Sequence, residues 1–106
     1  MLLAFTTVAT EADARRLADA AVAAHLAVCV QIEAPIHSVY HWQGRVEHAL
    51  EFRLTFKCLP ARLAALEKHV LAQHPYDTPE WFVIRAERVG EKYLSWAGAD
   101  STPPPL

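Results

Sequence analysis

The sequence predicts a single α+β domain with the element order β-α-β-β-α-β and a short helix at its end. Three observations support this fold class. Apolar residues alternate along several segments, they recur at helical spacing in two others, and a Gln43-Gly44 pair separates two long strand-like runs. With 106 residues, of which 53% are hydrophobic, the chain can bury one core.

The first unit is a strand followed by a helix. Leu2 to Val8 is a short apolar run with β-branched residues, which predicts a strand. A helix is expected from Glu11 to about His25, because Thr10 can cap its first turn and Asp13 can complete a capping-box-like pair. The Ala-rich face of this helix predicts close packing on a sheet.

A long hairpin is the central feature. Ala27 to Trp42 is rich in Val, Ile and aromatic residues but contains Pro35, so we expect one long strand with a bulge or bend. Gln43-Gly44 forms the turn, and Arg45 to Leu59 forms the returning strand. Both strands exceed the usual length, so their ends must project beyond the core as a ribbon that needs a partner.

The returning strand alternates between apolar and charged residues, which predicts one face toward the core and one toward solvent. The inward set is Val46, Leu50, Phe52, Leu54, Phe56 and Cys58, and the outward set is Arg45, Glu47, Glu51, Arg53 and Lys57.

The second half repeats the pattern. Pro60 to about Gln73 predicts an amphipathic helix, Trp81 to Val89 a strand, and Glu91 to Ala97 a closing helix. Two such halves, with both helices on one face of an antiparallel sheet, make the ferredoxin-like plait. Residues 1–100 form this domain, and residues 101–106 are expected to be a Pro-rich flexible tail.

Charge and hydropathy exclude several partners. The net charge of −2, without a run of Lys or Arg, gives no surface for nucleic acid or an anionic membrane. No apolar stretch approaches the roughly 20 residues of a membrane span. The N-terminal apolar run lacks a preceding basic region, so it predicts a strand and not a signal peptide, and a cytoplasmic location is expected.

The segment His74 to Trp81, with the sequence HPYDTPEW, concentrates reactive side chains around two prolines. Pro75 ends the preceding helix and Pro79 stiffens the chain, so the segment is first a rigid connector. His74 could act as a base or a metal ligand, or it could hydrogen-bond backbone carbonyls at the helix end. Both alternatives stay open at this point.

No enzymatic turnover is expected. Neither H-E-x-x-H, C-x-x-C nor G-x-S-x-G is present. His37 and His41 lie about 13 Å apart along one strand and cannot chelate one ion together. An acid-base pair of His74 and Glu51 would lack a nucleophile and an oxyanion device.

Five blocks of the sequence resemble, in order and spacing, the CutA divalent-cation tolerance proteins. They are LAVCV (Leu26 to Val30), SVYHWQGRVEHALEF (Ser38 to Phe52), Lys57, HPYDTPE (His74 to Glu80) and YLSW (Tyr93 to Trp96), and the resemblance spans residues 3–97. It implies a ferredoxin-like subunit assembled as a homotrimer, similar in architecture to PII-type signalling proteins. It also implies a role in tolerance to divalent metals, copper especially.

The resemblance implies site residues as well. The ligands of copper-binding members are a Cys in the first strand and a His-His pair, and these positions correspond to Thr6 and Gln73-His74, so His74 alone keeps a metal-ligating side chain. The expected ligand is Cu²⁺ or another divalent cation, and no obligatory cofactor is expected. Family positions that line the clefts between subunits correspond to Tyr40, Trp42, Glu47, Glu51, Lys57, Tyr76 and Glu80.

Two functions therefore stand side by side. The first is a divalent-metal tolerance or response protein that binds metal ions, copper in particular, as a trimer. The alternative is a small-molecule-sensing signalling trimer that binds a polar ligand in its inter-subunit clefts.

Overall fold

A computed structural model of the chain describes residues 1 to 100, so the predicted tail at 101–106 lies outside the described residues. The elements are β1 (Leu2–Val8), α1 (Glu11–Ala23), β2 (Cys29–Ile32), β3 (Ile36–Trp42), β4 (Arg45–Cys58), α2 (Leu63–Gln73), β5 (Phe82–Arg85) and α3 (Glu91–Asp100). A 3-10 turn at Pro60–Arg62 leads into α2. Within the described residues, no helix is long and apolar enough to cross a membrane.

The strands form one antiparallel sheet. β1 pairs with β4 on one side and β5 on the other, while β2 and β3 both pair with β4. When β2 and β3 are counted as one bent strand, the spatial order is that of the ferredoxin-like plait. α1 packs on β1, β2 and β4 and against α2, which confirms the predicted fold class.

The predicted bulge lies around Pro35. Ile32 is opposite Leu54 and Ile36 is opposite Glu51, so three residues of one strand face two of the other. One extra residue reverses the side-chain alternation. Consequently Ile32 shares the helix-covered face with Leu54, whereas Ile36 shares the opposite face with Glu51.

The ends of α1 follow from local chemistry. The Thr10 hydroxyl accepts a hydrogen bond from the Asp13 backbone N–H at 3.1 Å, which confirms the predicted N-cap. The Asp13 carboxylate forms an ion pair with Arg16 at 3.2 Å. At the other end His25 has a φ of 59°, and this left-handed conformation ends the helix near the predicted position.

The core lies between the helices and one face of the sheet. Its largest fully buried side chains are Phe56, Leu17, Leu54, Leu66, Val8, Val70, Thr6 and Cys58. Thr6 is the polar member of this set, so its hydroxyl must find hydrogen-bond partners inside the protein.

The predicted facing of β4 is wrong at its distal end. Val46 is 67% and Leu50 is 57% exposed, although both belong to the predicted inward set, whereas Glu51 of the outward set is only 9% exposed. The alternation itself is correct, but the helices cover only the part of β4 from Phe52 onward. Glu51 is covered from the other side, where the Tyr76 hydroxyl reaches its carboxylate.

Two element bounds also differ from the prediction. β5 ends at Arg85, short of the expected Val89, because it pairs only with β1, whose first paired residue, Leu2, lies opposite Arg85. α3 extends beyond the expected Ala97 to Asp100. Gly98 does not adopt a left-handed conformation, so it does not end the helix.

The hairpin of β3 and the distal half of β4, residues 36–51, projects from the core and is called the ribbon below. The described chain measures 49 Å along its longest axis and 22 Å along its shortest. Exposed large hydrophobic side chains on the ribbon are Val39, Tyr40, Trp42, Val46 and Leu50. An apolar surface of this kind is typical of an interaction site, as the sequence predicted.

A pair of leucines on α2 tests the assignment of the core. Leu66 is fully buried and Leu71 is 38% exposed. We expect Leu66→Ala to lower the free energy of unfolding by about 2–5 kcal/mol because it leaves a cavity, and Leu71→Ala to lower it by about 1 kcal/mol or less. Urea unfolding of the two variants measures the difference. Equal losses of unfolding free energy would contradict the burial of Leu66 in the core.

Candidate functional site: the cleft between the ribbon and residues 76–80

An open cleft of about 880 Å³ lies between the ribbon and the segment that follows α2. The ribbon contributes Ser38, Val39, Tyr40, Trp42, Ala49 and Glu51, the following segment contributes residues 76–80, and β1 contributes Thr7. A smaller hollow of about 370 Å³ between α1 and the bulge contains none of the predicted site residues.

The bulge determines which ribbon side chains line the cleft. Beyond Pro35, Ser38 is opposite Ala49 and Tyr40 is opposite Glu47. Residues opposite one another in an antiparallel pair share a face. The ribbon therefore presents Tyr40 and Trp42 on the same side as Glu51, and this side is called the cleft face below.

His74 fixes the other wall of the cleft. It follows the last residue of α2 with an extended backbone, as expected for a residue before proline. Its Nε2 lies 3.0 Å from the Thr6 Oγ1 and 3.0 Å from the Thr7 carbonyl oxygen, and its Nδ1 accepts a hydrogen bond from the Tyr76 N–H. A hydrogen bond from His74 to a backbone carbonyl is thus present, but the carbonyl belongs to β1 and not to the end of α2.

These contacts define the protonation state of His74. Since Nδ1 accepts a hydrogen bond, Nε2 carries the proton and donates it toward Thr7 and Thr6. The Thr6 hydroxyl in turn donates to the Glu80 carbonyl oxygen at 2.6 Å. Burial lowers the pKa of His74, and the hydrogen bond to the Thr7 carbonyl opposes this shift only in part.

The three positions that the resemblance relates to copper ligands are all engaged within the subunit. Both ring nitrogens of His74 and the Thr6 hydroxyl are hydrogen-bonded. The Gln73 side-chain oxygen accepts from Arg16 at 3.4 Å, and Arg16 also binds the Gln73 carbonyl at 3.1 Å. Among residues 1–99, no group of three or more His, Cys, Asp and Glu side chains is gathered around one point.

Carboxylates and a phenol meet at the floor of the cleft. The Tyr76 hydroxyl donates to Glu51 Oε2 at 2.9 Å. Burial first, and then the hydrogen bond and charge of Glu51, raise the pKa of Tyr76 well above its usual range. Burial and the charge of Glu51 also raise the pKa of Glu80, while Arg53 opposes the shift.

The predicted cleft residues are not all brought together within one subunit. Tyr40, Trp42, Glu51, Tyr76 and Glu80 line the cleft, and Glu47 lies on the same ribbon face opposite Tyr40. Lys57 is six residues beyond Glu51 on β4, about 20 Å away. Its ammonium instead contacts the Tyr93 hydroxyl at 3.4 Å and lies over the Tyr93 ring.

Sequence reasoning did not identify Thr7, and it named Thr6 only as a position that corresponds to a copper ligand. Thr7 lines the cleft, and Thr6 connects His74 with Glu80. A signal was present, because Thr6 is a polar residue at a core-facing position of the first strand. A buried hydroxyl requires partners, and the partners identify the segment that packs there.

Comparison with known proteins decides the family. Residues 2–100 match the family described as "CutA1 divalent ion tolerance protein". The chain belongs to the CutA1 family. This agrees with the resemblance found in the sequence blocks, and the CutA1 match covers both walls of the cleft.

Three relatives illustrate how CutA1 proteins compare with this chain. The divalent-cation tolerance protein CutA of Pectobacterium atrosepticum is 36% identical over 93 residues, which are 88% of this chain and 84% of that protein. Protein CutA 1, chloroplastic, of Oryza sativa is 37% identical over 90% of this chain, but the match spans only 54% of its length. The structure of CutA from Synechococcus elongatus has a TM-score of 0.91 and 40% identity, covering 95% of this chain and 89% of that one.

The lowered pKa of His74 predicts a pH dependence of stability. A folded-state pKa below the ordinary value of 6.5 means that the neutral ring stabilises the fold above this pH, and that this contribution is lost as the pH falls below 6.5 toward the lowered folded-state pKa. We expect the unfolding free energy of the native chain to fall as the pH is lowered below about 6.5, and His74→Gln to flatten this slope. Urea unfolding at several pH values, with the exposed His41→Gln as control, measures it. A slope that His74→Gln leaves unchanged would contradict the assignment.

The Tyr76–Glu51 hydrogen bond predicts a second effect. Tyr76→Phe leaves the buried Glu51 carboxylate without this donor, so we expect a loss of about 1.5–3 kcal/mol in unfolding free energy. Tyr93→Phe removes a longer, exposed contact with Lys57 and should cost about 0.5 kcal/mol or less. If chemical unfolding finds the two variants equally stable, the hydrogen bond in the cleft does not hold Glu51.

Proposed function

We propose that this chain is a divalent-cation tolerance protein that acts as a homotrimer and binds its metal ions in clefts shared between subunits. The observation that carries the proposal is the pair of carboxylates at the cleft. Glu51 is nearly buried there, and burial first and then the charge of Glu51 raise the pKa of Glu80. Two carboxylates that repel each other are stabilised by a cation placed between them.

One subunit supplies only part of such a site. Among the described residues, two glutamates face the cleft with one aspartate, Asp77, and no ready group of three metal-ligating side chains is formed. A divalent ion at a stable protein site takes several protein ligands. A neighbouring subunit in a trimer would supply the missing ones, and it would also cover the exposed Tyr40 and Trp42 on the cleft face of the ribbon.

Copper is the metal that we propose to bind most tightly. At a site of nitrogen and oxygen donors, Cu²⁺ binds more tightly than the other divalent ions of the first transition row. His74 can contribute only if it releases Thr6 and Thr7, because its Nε2 contacts both. The cost of breaking these contacts favours a site that rests mainly on Glu51 and Glu80.

A second function is favoured by the size and lining of the same cleft. Its volume of about 880 Å³ is within the usual range for small-molecule sites, and Tyr40 and Trp42 offer aromatic surfaces beside Glu51. The alternative is therefore a signalling trimer that senses a small polar ligand. Under both functions we propose that the protein acts in the cytoplasm and without enzymatic turnover.

Calorimetry of purified protein against Cu²⁺ tests the metal proposal. We expect Glu51→Gln and Glu80→Gln each to weaken one class of sites by about tenfold or more, because each removes a charged ligand. Glu87→Gln, outside the cleft, is the matched control and should leave the Cu²⁺ affinity unchanged. Light scattering on the same samples should give three times the 11.8 kDa chain mass.

Two results would contradict this function. A monomeric mass excludes clefts shared between subunits. Unchanged Cu²⁺ affinity in both cleft variants excludes the carboxylates as ligands, and a thermal shift with nucleotides or amino acids that Trp42→Ala abolishes would then support the small-molecule alternative.

A further inference from the structure

The ribbon carries three histidines on the face opposite the cleft. His37 lies opposite Leu50, Val39 lies opposite His48, and His41 lies opposite Val46. His37 and His41 are on β3 and His48 is on β4. His48 is therefore the diagonal neighbour of both other histidines, and these six residues form what is called the histidine face below.

The register brings the imidazoles within chelating distance of one another in pairs. Trp42 and Arg45 close a two-residue turn and form a hydrogen-bonded pair, so Val39 and His48 form a non-hydrogen-bonded pair, with Cα atoms about 4.5 Å apart. Diagonal neighbours then have Cβ atoms about 7–8 Å apart or less. Two imidazoles on such positions can meet at one ion, since metal–nitrogen bonds measure about 2.0–2.1 Å.

These histidines are free to bind, in contrast to His74. His37, His41 and His48 are all exposed, and none of them has a hydrogen-bond partner within the described residues. The other members of the histidine face, Val39, Val46 and Leu50, are uncharged and exposed, so no cation of that face repels a metal ion.

We propose that His48 is the common ligand of a transition-metal site on the histidine face, which it forms with His41 or His37. Imidazole ligands suit Cu²⁺, Ni²⁺ and Zn²⁺ and disfavour Mg²⁺ and Ca²⁺, so the site takes ions of the first group, with water completing the coordination. It is separate from the carboxylates of the cleft, because the histidine face and the cleft face are opposite sides of the ribbon.

The two strands act together in this site. His37 and His41 are too far apart along β3 to share an ion, and His48 lies between them on the other strand. Two tethered ligands bind more tightly than one by about 10²–10⁴-fold, because the second bond forms within the molecule. Removal of His48 should therefore have the same effect as removal of both β3 histidines.

Calorimetry with Ni²⁺ tests this arrangement on the full chain. We expect His48→Ala and the double variant His37→Ala/His41→Ala each to weaken Ni²⁺ binding by about 100-fold. His74→Ala and Glu80→Gln should change it by no more than about twofold, and these controls separate this site from the proposed cleft function. Light scattering and circular dichroism confirm that each variant keeps its assembly and fold.

Several outcomes would overturn the proposal. If His48→Ala leaves the Ni²⁺ affinity unchanged, His48 is not a ligand. If the Ni²⁺ affinity is unchanged in the double variant His37→Ala/His41→Ala, the site is not formed by His48 with a diagonal β3 histidine. A second measurement is independent of the ribbon variants: the Cu²⁺ electron paramagnetic resonance spectrum of Glu80→Gln/His74→Ala protein should show two coordinated nitrogens. A single nitrogen would mean that the histidines bind separately.

Discussion

The hydrogen bonds of the buried Thr6 hydroxyl hold the cleft together. This hydroxyl accepts from His74 and donates to the Glu80 carbonyl, so it joins both ends of the segment after α2 to the end of β1. An unsatisfied hydroxyl in the core costs about 1–3 kcal/mol, which makes this docking of the segment strongly preferred. The position of Tyr76 over Glu51 follows from it, because Tyr76 lies between the two anchored residues.

The elements and their order could be predicted from local pattern, whereas the burial of individual ribbon residues could not. Alternation identifies the two faces of β4 correctly, and Pro35 marks the bulge. How far a helix extends over a strand depends on tertiary packing, which a period of two residues does not encode. For this reason Val46 and Leu50 are exposed although they share a face with Leu54.

At the site, too, features set by neighbouring residues could be predicted, whereas contacts between residues distant in the sequence could not. The prolines of HPYDTPEW predict a rigid connector, and in the structure the segment connects α2 to β5. The choice for His74 between metal ligand and backbone partner depended on a contact across 67 residues, with the Thr7 carbonyl. Two of the three positions that the family resemblance relates to metal ligands, Thr6 and His74, are neighbours in space, but here they bind one another.

The number of residues in the bulge at 33–35 determines which β3 side chains lie on each of the two surfaces of the ribbon. The single extra residue of the bulge decides whether the aromatic side chains of β3 or the histidines of β3 face the segment at 76–80. Substitutions within the bulge leave this parity intact, whereas an insertion or deletion of one residue there exchanges the β3 side chains of the two surfaces. The number of residues at this point therefore matters more to the two surfaces than the identity of those residues does.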